Sequence, residues 1–376
     1  MSFPDVTTLK LCSILASAAF GLVFLVLWLR NRPARHFAMW SASSLIYGFA
    51  LVCYALMPHP SLAVSSVLCA ILAATNLLPV CGVLALSGKP VVQPWMAVPV
   101  ACGVIGHGIP SLLTMHGVIG SAMPWQAIGD ALGLALAVAI PGMVLAFGAG
   151  SEDSTGQRMA GFSMLAYVPA YALSIVSETV APAHFEFVAL YGMLSDQILL
   201  GVLNLGLLAI PVEQVQKQLR MAAMVDPLTG CWNRAGLAHL AERSLRPRTT
   251  VIAIDVDHFK QVNDRYGHAA GDEVLAFIGV QARELAKAYD GDVVRLGGDE
   301  FVIVLPPGHR TSIQFTKALQ QSLDVYRVGG ASWSVSIGIA QVRADDPMLS
   351  EAIARADIAL YKAKAARGPE LQRSAA

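Results

Sequence analysis

Two acidic residues directly follow a pair of glycines late in the chain, in the run Arg295-Leu-Gly-Gly-Asp-Glu-Phe301. Glycine lacks a Cβ, so Gly297 and Gly298 permit positive φ angles and the close approach of a bulky ligand. Asp299 and Glu300 offer carboxylate oxygens, which Mg²⁺ prefers together with phosphate oxygens. The run therefore indicates a metal-assisted nucleotide site at a tight turn.

A second acidic pair lies at the end of a predicted buried strand upstream. Asp255 and Asp257 end the apolar, β-branched stretch Thr249–Val256, and residues i and i+2 of a strand point to the same face. A strand end and a neighbouring turn can together supply acids to one metal. Phosphoryl transfer requires this arrangement because cations neutralise the triphosphate. Lys260 adds a point charge suited to phosphate.

Three polar residues, Asn263, His268 and Asp272, follow closely along the chain. Amide and carboxylate side chains match the amide and amine edge of a guanine base.

The segments that must position these residues alternate between strands and helices. Val293–Leu296 and Phe301–Leu305 are predicted to form a hairpin with its turn at Gly297–Glu300, and Trp333–Ala340 is a further predicted strand. Helices are predicted over segments that include Asp272–Tyr289. This order indicates an α/β sandwich whose sheet is at least partly antiparallel.

Six segments in this order resemble the GGDEF family of diguanylate cyclases over about residues 222–370. They are Asp226-Pro-Leu-Thr-Gly-Cys-Trp-Asn-Arg234, Asp255-Val-Asp-His-Phe-Lys260, Asn263-Asp-Arg-Tyr-Gly-His-Ala-Ala-Gly-Asp272, Arg295-Leu-Gly-Gly-Asp-Glu-Phe301, Val335-Ser-Ile-Gly-Ile339 and Ala356-Asp-Ile-Ala-Leu-Tyr361. The resemblance implies an α+β domain with an antiparallel-rich sheet flanked by helices, related to nucleotide cyclase and polymerase palm domains. It also implies the condensation of two GTP into cyclic di-GMP and two pyrophosphates by a homodimer.

The resemblance also implies a role for each matching residue. Asp255, the Val256 carbonyl and Asp299 would bind Mg²⁺, two ions per active site with Mn²⁺ as an alternative, while Glu300 and Lys260 would act beside the reacting groups. The residues implied to contact the nucleotide are Asn263, His268, Asp272, Gly297, Gly298 and Lys364.

One departure from the family pattern concerns product feedback. Many members carry an Arg-x-x-Asp site before the glycine pair, whereas this chain has Lys287-Ala-Tyr-Asp290. Lysine cannot form the bidentate fork that arginine forms with phosphate or a guanine edge. We therefore expect weak inhibition by cyclic di-GMP.

Composition divides the 376 residues into two unlike halves. Only six of the 26 Lys and Arg residues lie in residues 1–211, and the mean hydropathy of the whole chain is +0.56. Seven apolar stretches are long enough to cross a bilayer. They are placed at 9–29, 38–57, 62–86, 94–114, 127–149, 159–179 and 187–210. Six spans, with the Gly- and Pro-rich fourth stretch re-entrant, is the alternative.

The basic residues of the short loops predict the orientation of these spans. Arg30, Arg32 and Arg35 follow the first stretch, Lys89 the third and Arg158 the fifth, and such residues stay cytoplasmic. This pattern predicts an N-terminus outside a bacterial inner membrane and a cytoplasmic C-terminal half. No nucleic-acid partner is expected.

Three ionisable residues, His107, Asp130 and Asp196, fall inside predicted spans. A buried ionisable group in a membrane is costly and therefore a functional hypothesis. Two interpretations stay open: a polar pocket for a small ligand or proton, and bonds between helices.

The predicted domains are a membrane sensor domain at 1–211, an amphipathic helix at 212–225, a cyclase domain at 226–370 and a tail at 371–376. Apolar residues at 212, 215, 219 and 222 form a coiled-coil-like stripe, which suits either a paired signalling stalk or a spacer. The alternatives for the whole protein are an inactive GGDEF domain that only binds GTP and, less favoured, a transporter with a regulatory domain.

Overall fold

The computed structural model describes residues 6–57, 60–119, 125–180, 185–307, 311–324, 327 and 333–374. The chain divides into two compact units, Met1–Val215 and Gln216–Ala376. Each unit has its own core, so each is described separately.

The first unit is helical throughout its described residues, apart from short connections. Its large apolar side chains are exposed on many helix faces, as expected for helices that contact lipid. The helices are α1 (Val6–Arg30), α2 (Arg35–Leu56), α3 (Leu62–Thr75), α4 (Leu78–Leu86), α5 (Ala97–Met115), α6 (Trp125–Phe147), α7 (Thr155–Leu165), α8 (Tyr167–Val180) and α9 (Phe185–Ala223).

Seven helical segments in the described residues are long and apolar enough to cross a membrane. This confirms the number of apolar helices expected from the sequence. The fourth stretch, which prompted the six-span alternative, forms a helical segment over Pro94–Met115 that meets the same criteria as the others. Helix α9 continues through Pro211 and carries Val212, Val215 and Leu219, whose side chains are more than half exposed.

Asp196 and the pair His107 and Asp130 belong to separate polar clusters between helices. Asp196 is 4% exposed and accepts hydrogen bonds from the hydroxyls of Tyr47 at 2.9 Å and Tyr167 at 3.0 Å. His107 Nδ1 lies 2.8 Å from Asp130 Oδ1. In the hydrogen bonds of the described residues, Asp196 therefore has other partners than His107 and Asp130 have.

The second unit is a four-stranded antiparallel sheet in the order β2-β3-β1-β4. This confirms the antiparallel-rich α+β fold predicted for it. The strands are β1 (Thr250–Val256), β2 (Asp292–Gly297), β3 (Glu300–Leu305) and β4 (Val335–Gln341), and the helices are α10 (Arg234–Ser244), α11 (Phe259–Tyr266), α12 (His268–Lys287), α13 (Thr311–Asp324) and α14 (Leu349–Ser374).

Both faces of the sheet are buried, which explains the continuous apolar run of β1. Successive side chains of a strand point to opposite faces. Ile252 and Ile254 pack in the core that includes residues of α12 and α13, whereas Val251 and Ala253 pack in the core that includes residues of α10 and α14.

Two element boundaries differ by several residues from the sequence-based expectation. The segment after β1 forms a separate short helix, α11, bounded by His258 with φ of 57° and Gly267 with φ of 86°. The next helix therefore begins at His268 instead of Asp272. The last helix extends to Ser374, so most of the predicted tail is helical, and residues 375 and 376 lie outside the described residues.

Candidate active site

The ends of β1 and β3 bring the predicted acidic residues together. Because the two strands are antiparallel, Asp255 near the end of β1 pairs with Glu300 at the start of β3. Asp299 immediately precedes Glu300 in the turn, and Val256, which is 1% exposed, ends β1. Residues 45 positions apart in sequence therefore lie side by side at one edge of the sheet.

The glycine turn between β2 and β3 is open to solvent. Gly297 has φ of 154° and Gly298 φ of 52°, and a Cβ built at either residue would have no neighbour within 4 Å in the described part of the chain. The local backbone favours glycine for its conformation, while the surrounding protein would leave room for a side chain. The free space is therefore available to a ligand.

Arg295 fixes this turn from within β2. Its Nε and Nη2 donate to the Gly298 carbonyl oxygen at 3.0 and 2.7 Å, and its Nη1 donates to Asp226 Oδ1 at 3.0 Å. Burial raises the pKa of Asp226, but hydrogen bonds from Thr229 and Arg295 outweigh it and lower this pKa overall. One guanidinium thus joins the glycine turn to the segment that precedes α10.

That segment is also attached to the end of α9. The Asn233 side chain caps α10 by accepting from Ala235 N at 2.9 Å, and its Nδ2 donates to the Ala223 carbonyl oxygen at 2.7 Å. The Asn233 backbone N–H donates to the Met224 carbonyl oxygen at 2.8 Å. The last residues of α9 are therefore hydrogen-bonded into the fold of the second unit.

Asp299 lies in an environment that suits a bound cation. Its burial raises its pKa, and the negative charge of Asp255 raises it further. Two carboxylates that repel each other in a partly buried position match the donor set of a hard divalent ion. The residues present therefore fit Mg²⁺ or Mn²⁺, and they do not specify which ion or how many.

Lys364 contacts the same acidic group. Its Nζ, on α14, lies 2.5 Å from Asp255 Oδ1. Sequence reasoning assigned Lys364 to the nucleotide but missed this ion pair, because the 109 residues between the partners hide their proximity.

Asp257 differs from Asp255 in its surroundings. Because β1 ends at Val256, the period-two argument does not extend to Asp257. Its carboxylate accepts hydrogen bonds from Ser334 Oγ at 2.5 Å and Ser336 Oγ at 2.6 Å. The paired serines at i and i+2 were the signal in the sequence for this arrangement.

The remaining predicted site residues lie on α11 and α12. Lys260, His268 and Asp272 are exposed. Asn263 is half-buried and places its carboxamide against Gly271, the residue before Asp272. The two helices thus bring Asn263 next to the first turn of α12, and both helices directly follow the acidic end of β1.

Comparisons with known proteins agree with this architecture. Residues 223–369 match the family described as diguanylate cyclase, GGDEF domain. The diguanylate cyclase DgcM of Escherichia coli K12 is 35% identical over 162 residues, covering 40% of this chain and 38% of that protein. The diguanylate cyclase DgcP of Pseudomonas aeruginosa is 34% identical over 166 residues, covering 41% and 24%.

Two further matches cover most of the other protein. An uncharacterized 19.3 kDa protein of Streptomyces ambofaciens is 38% identical over 149 residues, covering 38% of this chain and 79% of that protein. A solved microbial GGDEF domain with cyclic di-GMP is 30% identical, covering 39% of this chain and 94% of that chain, with a TM-score of 0.36.

The second unit is thus an α+β domain with carboxylates gathered at one edge of its antiparallel sheet. Through this unit the chain belongs to the GGDEF family of diguanylate cyclases. The chain spans well under half the length of the two named cyclases.

Proposed function

We propose that this protein is a membrane-bound diguanylate cyclase that condenses two GTP into cyclic di-GMP and two pyrophosphates. The observation that carries the proposal is the β1–β3 register, which sets Asp255 opposite Glu300 and beside Asp299. In this proposal residues 1–211 form a regulatory membrane domain, 212–225 a connecting helix, 226–370 the cyclase domain and 371–376 a tail.

The reaction forms two phosphodiester bonds. The 3′-hydroxyl oxygen of one GTP attacks the α-phosphorus of the other, the bond to pyrophosphate breaks, and the hydroxyl proton passes to a base. Glu300 is exposed at the start of β3, next to the acidic pair, and is our candidate for this base. Repeating the step with the GTP roles exchanged closes the ring.

The proposed cation ligands are the carboxylates of Asp255 and Asp299 and the carbonyl oxygen of Val256. When bound, Mg²⁺ would neutralise phosphate charge and favour the attacking oxygen as a nucleophile. The mutual repulsion of Asp255 and Asp299 supports this assignment because a divalent ion would relieve it.

The proposed nucleotide contacts come from α11, α12, α14 and the glycine turn. Lys260 and Lys364 would bind phosphate oxygens, and the Lys364 ammonium is already adjacent to Asp255. The backbone at Gly297 and Gly298 would lie against the nucleotide. Asn263 and Asp272 would bind the guanine edge, with His268 beside them at the start of α12.

The reaction requires two subunits because each would hold one GTP. The exposed stripe of Val212, Val215 and Leu219 on α9 supports pairing of two chains through this helix. The distribution of Lys and Arg supports a bacterial inner-membrane location with the N-terminus outside and the cyclase domain in the cytoplasm. A membrane or periplasmic signal, which we do not identify, would act on the first unit.

The test is product formation by the fragment 212–376 and by the full-length protein in detergent, each incubated with GTP and Mg²⁺. We expect cyclic di-GMP from the wild type and none from Asp299→Ala or Glu300→Ala. A full-length protein that binds GTP without forming product would refute the proposed cyclase activity and favour an inactive GGDEF domain that only binds GTP. Product from the full-length protein alone would show that dimer formation needs residues 1–211.

A further inference from the structure

A cluster of potential metal ligands lies in the first unit, outside the nucleotide site. Cys69 on α3, His107 on α5 and Asp130 on α6 each offer one ligand atom, and these atoms lie within 4.8 Å of one another. The cysteine and histidine are 3% and 5% exposed, while the Asp130 side chain is 34% exposed. Two of the three candidate ligands are therefore buried, and the third is partly exposed.

Close helix packing produces this convergence. Helices α5 and α6 meet at Gly106 and Gly133, where a Cβ built at Gly106 would lie 2.8 Å from Gly133 Cα. Likewise, a Cβ at Gly103 would lie 2.8 Å from the Ala73 Cβ of α3. Small residues let membrane helices approach closely, so the three ligand-bearing helices are held at short range.

A hydrogen bond outside the cluster involves the other ring nitrogen of His107. Its Nε2 lies 3.1 Å from Ser65 Oγ, and the Ser65 hydroxyl can donate to the carbonyl oxygens of Ser61 at 3.0 Å and Leu62 at 3.2 Å. When the hydroxyl proton is given to a carbonyl, Ser65 Oγ accepts from Nε2–H. In that neutral tautomer Nδ1 carries the lone pair that a metal would bind.

The three ligand atoms converge within a hydrogen-bonded group of side chains. His107 Nδ1 is 2.8 Å from Asp130 Oδ1, and the Gln126 amide nitrogen is 2.9 Å from the former and 3.0 Å from the latter. That nitrogen also lies 3.1 Å from the His107 carbonyl oxygen, which the Ser111 hydroxyl bonds at 2.9 Å. Cys69 Sγ lies 3.6 Å from Tyr54 Oη and adds a further lone pair for a metal. A cation at the centre would bind all three ligand atoms in place of the direct contact between His107 and Asp130.

We propose that Cys69, His107 and Asp130 bind a thiophilic divalent cation of the Zn²⁺ class. Thiolate, imidazole and carboxylate are the three ligand types that zinc uses in proteins. Three protein ligands leave one coordination position open, unlike the four ligands of closed structural sites. A site with an open coordination position is suited to exchange its bound ion.

The position of the cluster along its helices gives its access route. Each ligand lies about two helical turns or less from one end of its helix, roughly 8–12 Å at 1.5 Å per residue. These ends are Leu62 for Cys69, Met115 for His107 and Trp125 for Asp130. These residues begin or end consecutive spans on one membrane face. In the proposed orientation this is the outer face, so the site would sample divalent ions outside the cytoplasm.

The test uses the full-length protein in detergent, stripped with a chelator and titrated with Co²⁺ and then Zn²⁺. We expect one Co²⁺ per chain with a thiolate-to-cobalt charge-transfer absorption that Zn²⁺ abolishes. Cys69→Ser should remove the band and weaken binding at least 100-fold, whereas Cys81→Ser, which alters another buried cysteine on α4, should leave both unchanged. These measurements do not depend on cyclase activity.

Three outcomes would overturn the site. They are a wild type without the charge-transfer band, a band that survives Cys69→Ser, and one that disappears in Cys81→Ser. If Cys69→Ser does not elute as a single folded species, Asp130→Asn replaces it, because that side chain is partly exposed. Asp130→Asn must then keep the band and lower the Co²⁺ affinity at least tenfold, and unchanged affinity would show that Asp130 is not a ligand and overturn the three-residue site.

Discussion

Gly298→Ala separates the conformational role of the glycine turn from its role beside a ligand. The residue has φ of 52°, and its added methyl group would meet no protein atom within 4 Å. The substitution therefore has one effect on the isolated fold, the strain of placing an L-residue in the left-handed region.

The magnitude of that strain is small compared with the stability of a domain. A left-handed L-residue costs about 1–2 kcal/mol, against about 5–15 kcal/mol for the unfolding of a typical domain. The Gly298→Ala variant should therefore remain folded. If nucleotide occupies the open space, the methyl group displaces it, and a 100-fold loss of activity corresponds to about 2.7 kcal/mol at 1.36 kcal/mol per tenfold.

Gly230→Ala provides the matched control. Gly230 has φ of 66°, and a Cβ there would meet only the flexible guanidinium end of Arg283. We expect both variants to lose about 1–2 kcal/mol in urea unfolding of the 212–376 fragment. Cyclic di-GMP formation should fall at least 100-fold in Gly298→Ala and less than threefold in Gly230→Ala. Equal losses of activity, or an unfolded Gly298→Ala fragment, would refute the assignment of the open space to nucleotide.

Two further predictions concern charged pairs, and a third concerns product inhibition. Hydrogen bonds from Arg355 lower the pKa of Asp346 to about 2, so this pair stabilises the fold above about pH 4, and the contribution is lost as the pH falls through the folded-state pKa. Asp346→Asn should remove the part of the acid-induced loss of stability that comes from this pair. Identical acid-unfolding curves for the variant and the wild type would contradict the prediction. Lys364→Met should tighten nucleotide-free Mg²⁺ binding about fivefold, because it removes an ammonium worth about 1 kcal/mol at Asp255, and should still lower cyclase activity. Calorimetry showing weaker binding would contradict this. Added cyclic di-GMP should inhibit the wild type only weakly and Lys287→Arg more strongly, and low-micromolar inhibition of the wild type would overturn the expectation.

The parts of the fold that were predictable are those with a strong local signal. The strand β1 is apolar on both faces, and the hairpin turn carries two glycines, so both could be placed within about one residue. The apolar helices were equally visible, because an uncharged apolar stretch of bilayer length is typical of a membrane span. The left-handed conformation of His258, which separates β1 from α11, was not predictable, since positive φ is uncommon for residues other than glycine and no glycine marks this position.

The contacts that sequence reasoning missed all join distant segments. Lys364 and Asp255 are 109 residues apart, and Arg295 and Asp226 are 69 apart. Residue types alone identified these side chains as polar site candidates or structural charges. Only the sheet order and the packing of α14 against β1 decide which of them meet.

The attachment of Arg295 to both the glycine turn and Asp226 has a mechanical consequence for the end of α9. Ala223 is bonded to Asn233, and the Asp226 carboxylate, three residues beyond Ala223, is held by the guanidinium that also grips the Gly298 carbonyl. A rotation of the last turn of α9 would therefore be transmitted to the backbone of Gly298 through these successive hydrogen bonds. The orientation of the end of α9 and the position of the glycine turn are in this way coupled through Arg295.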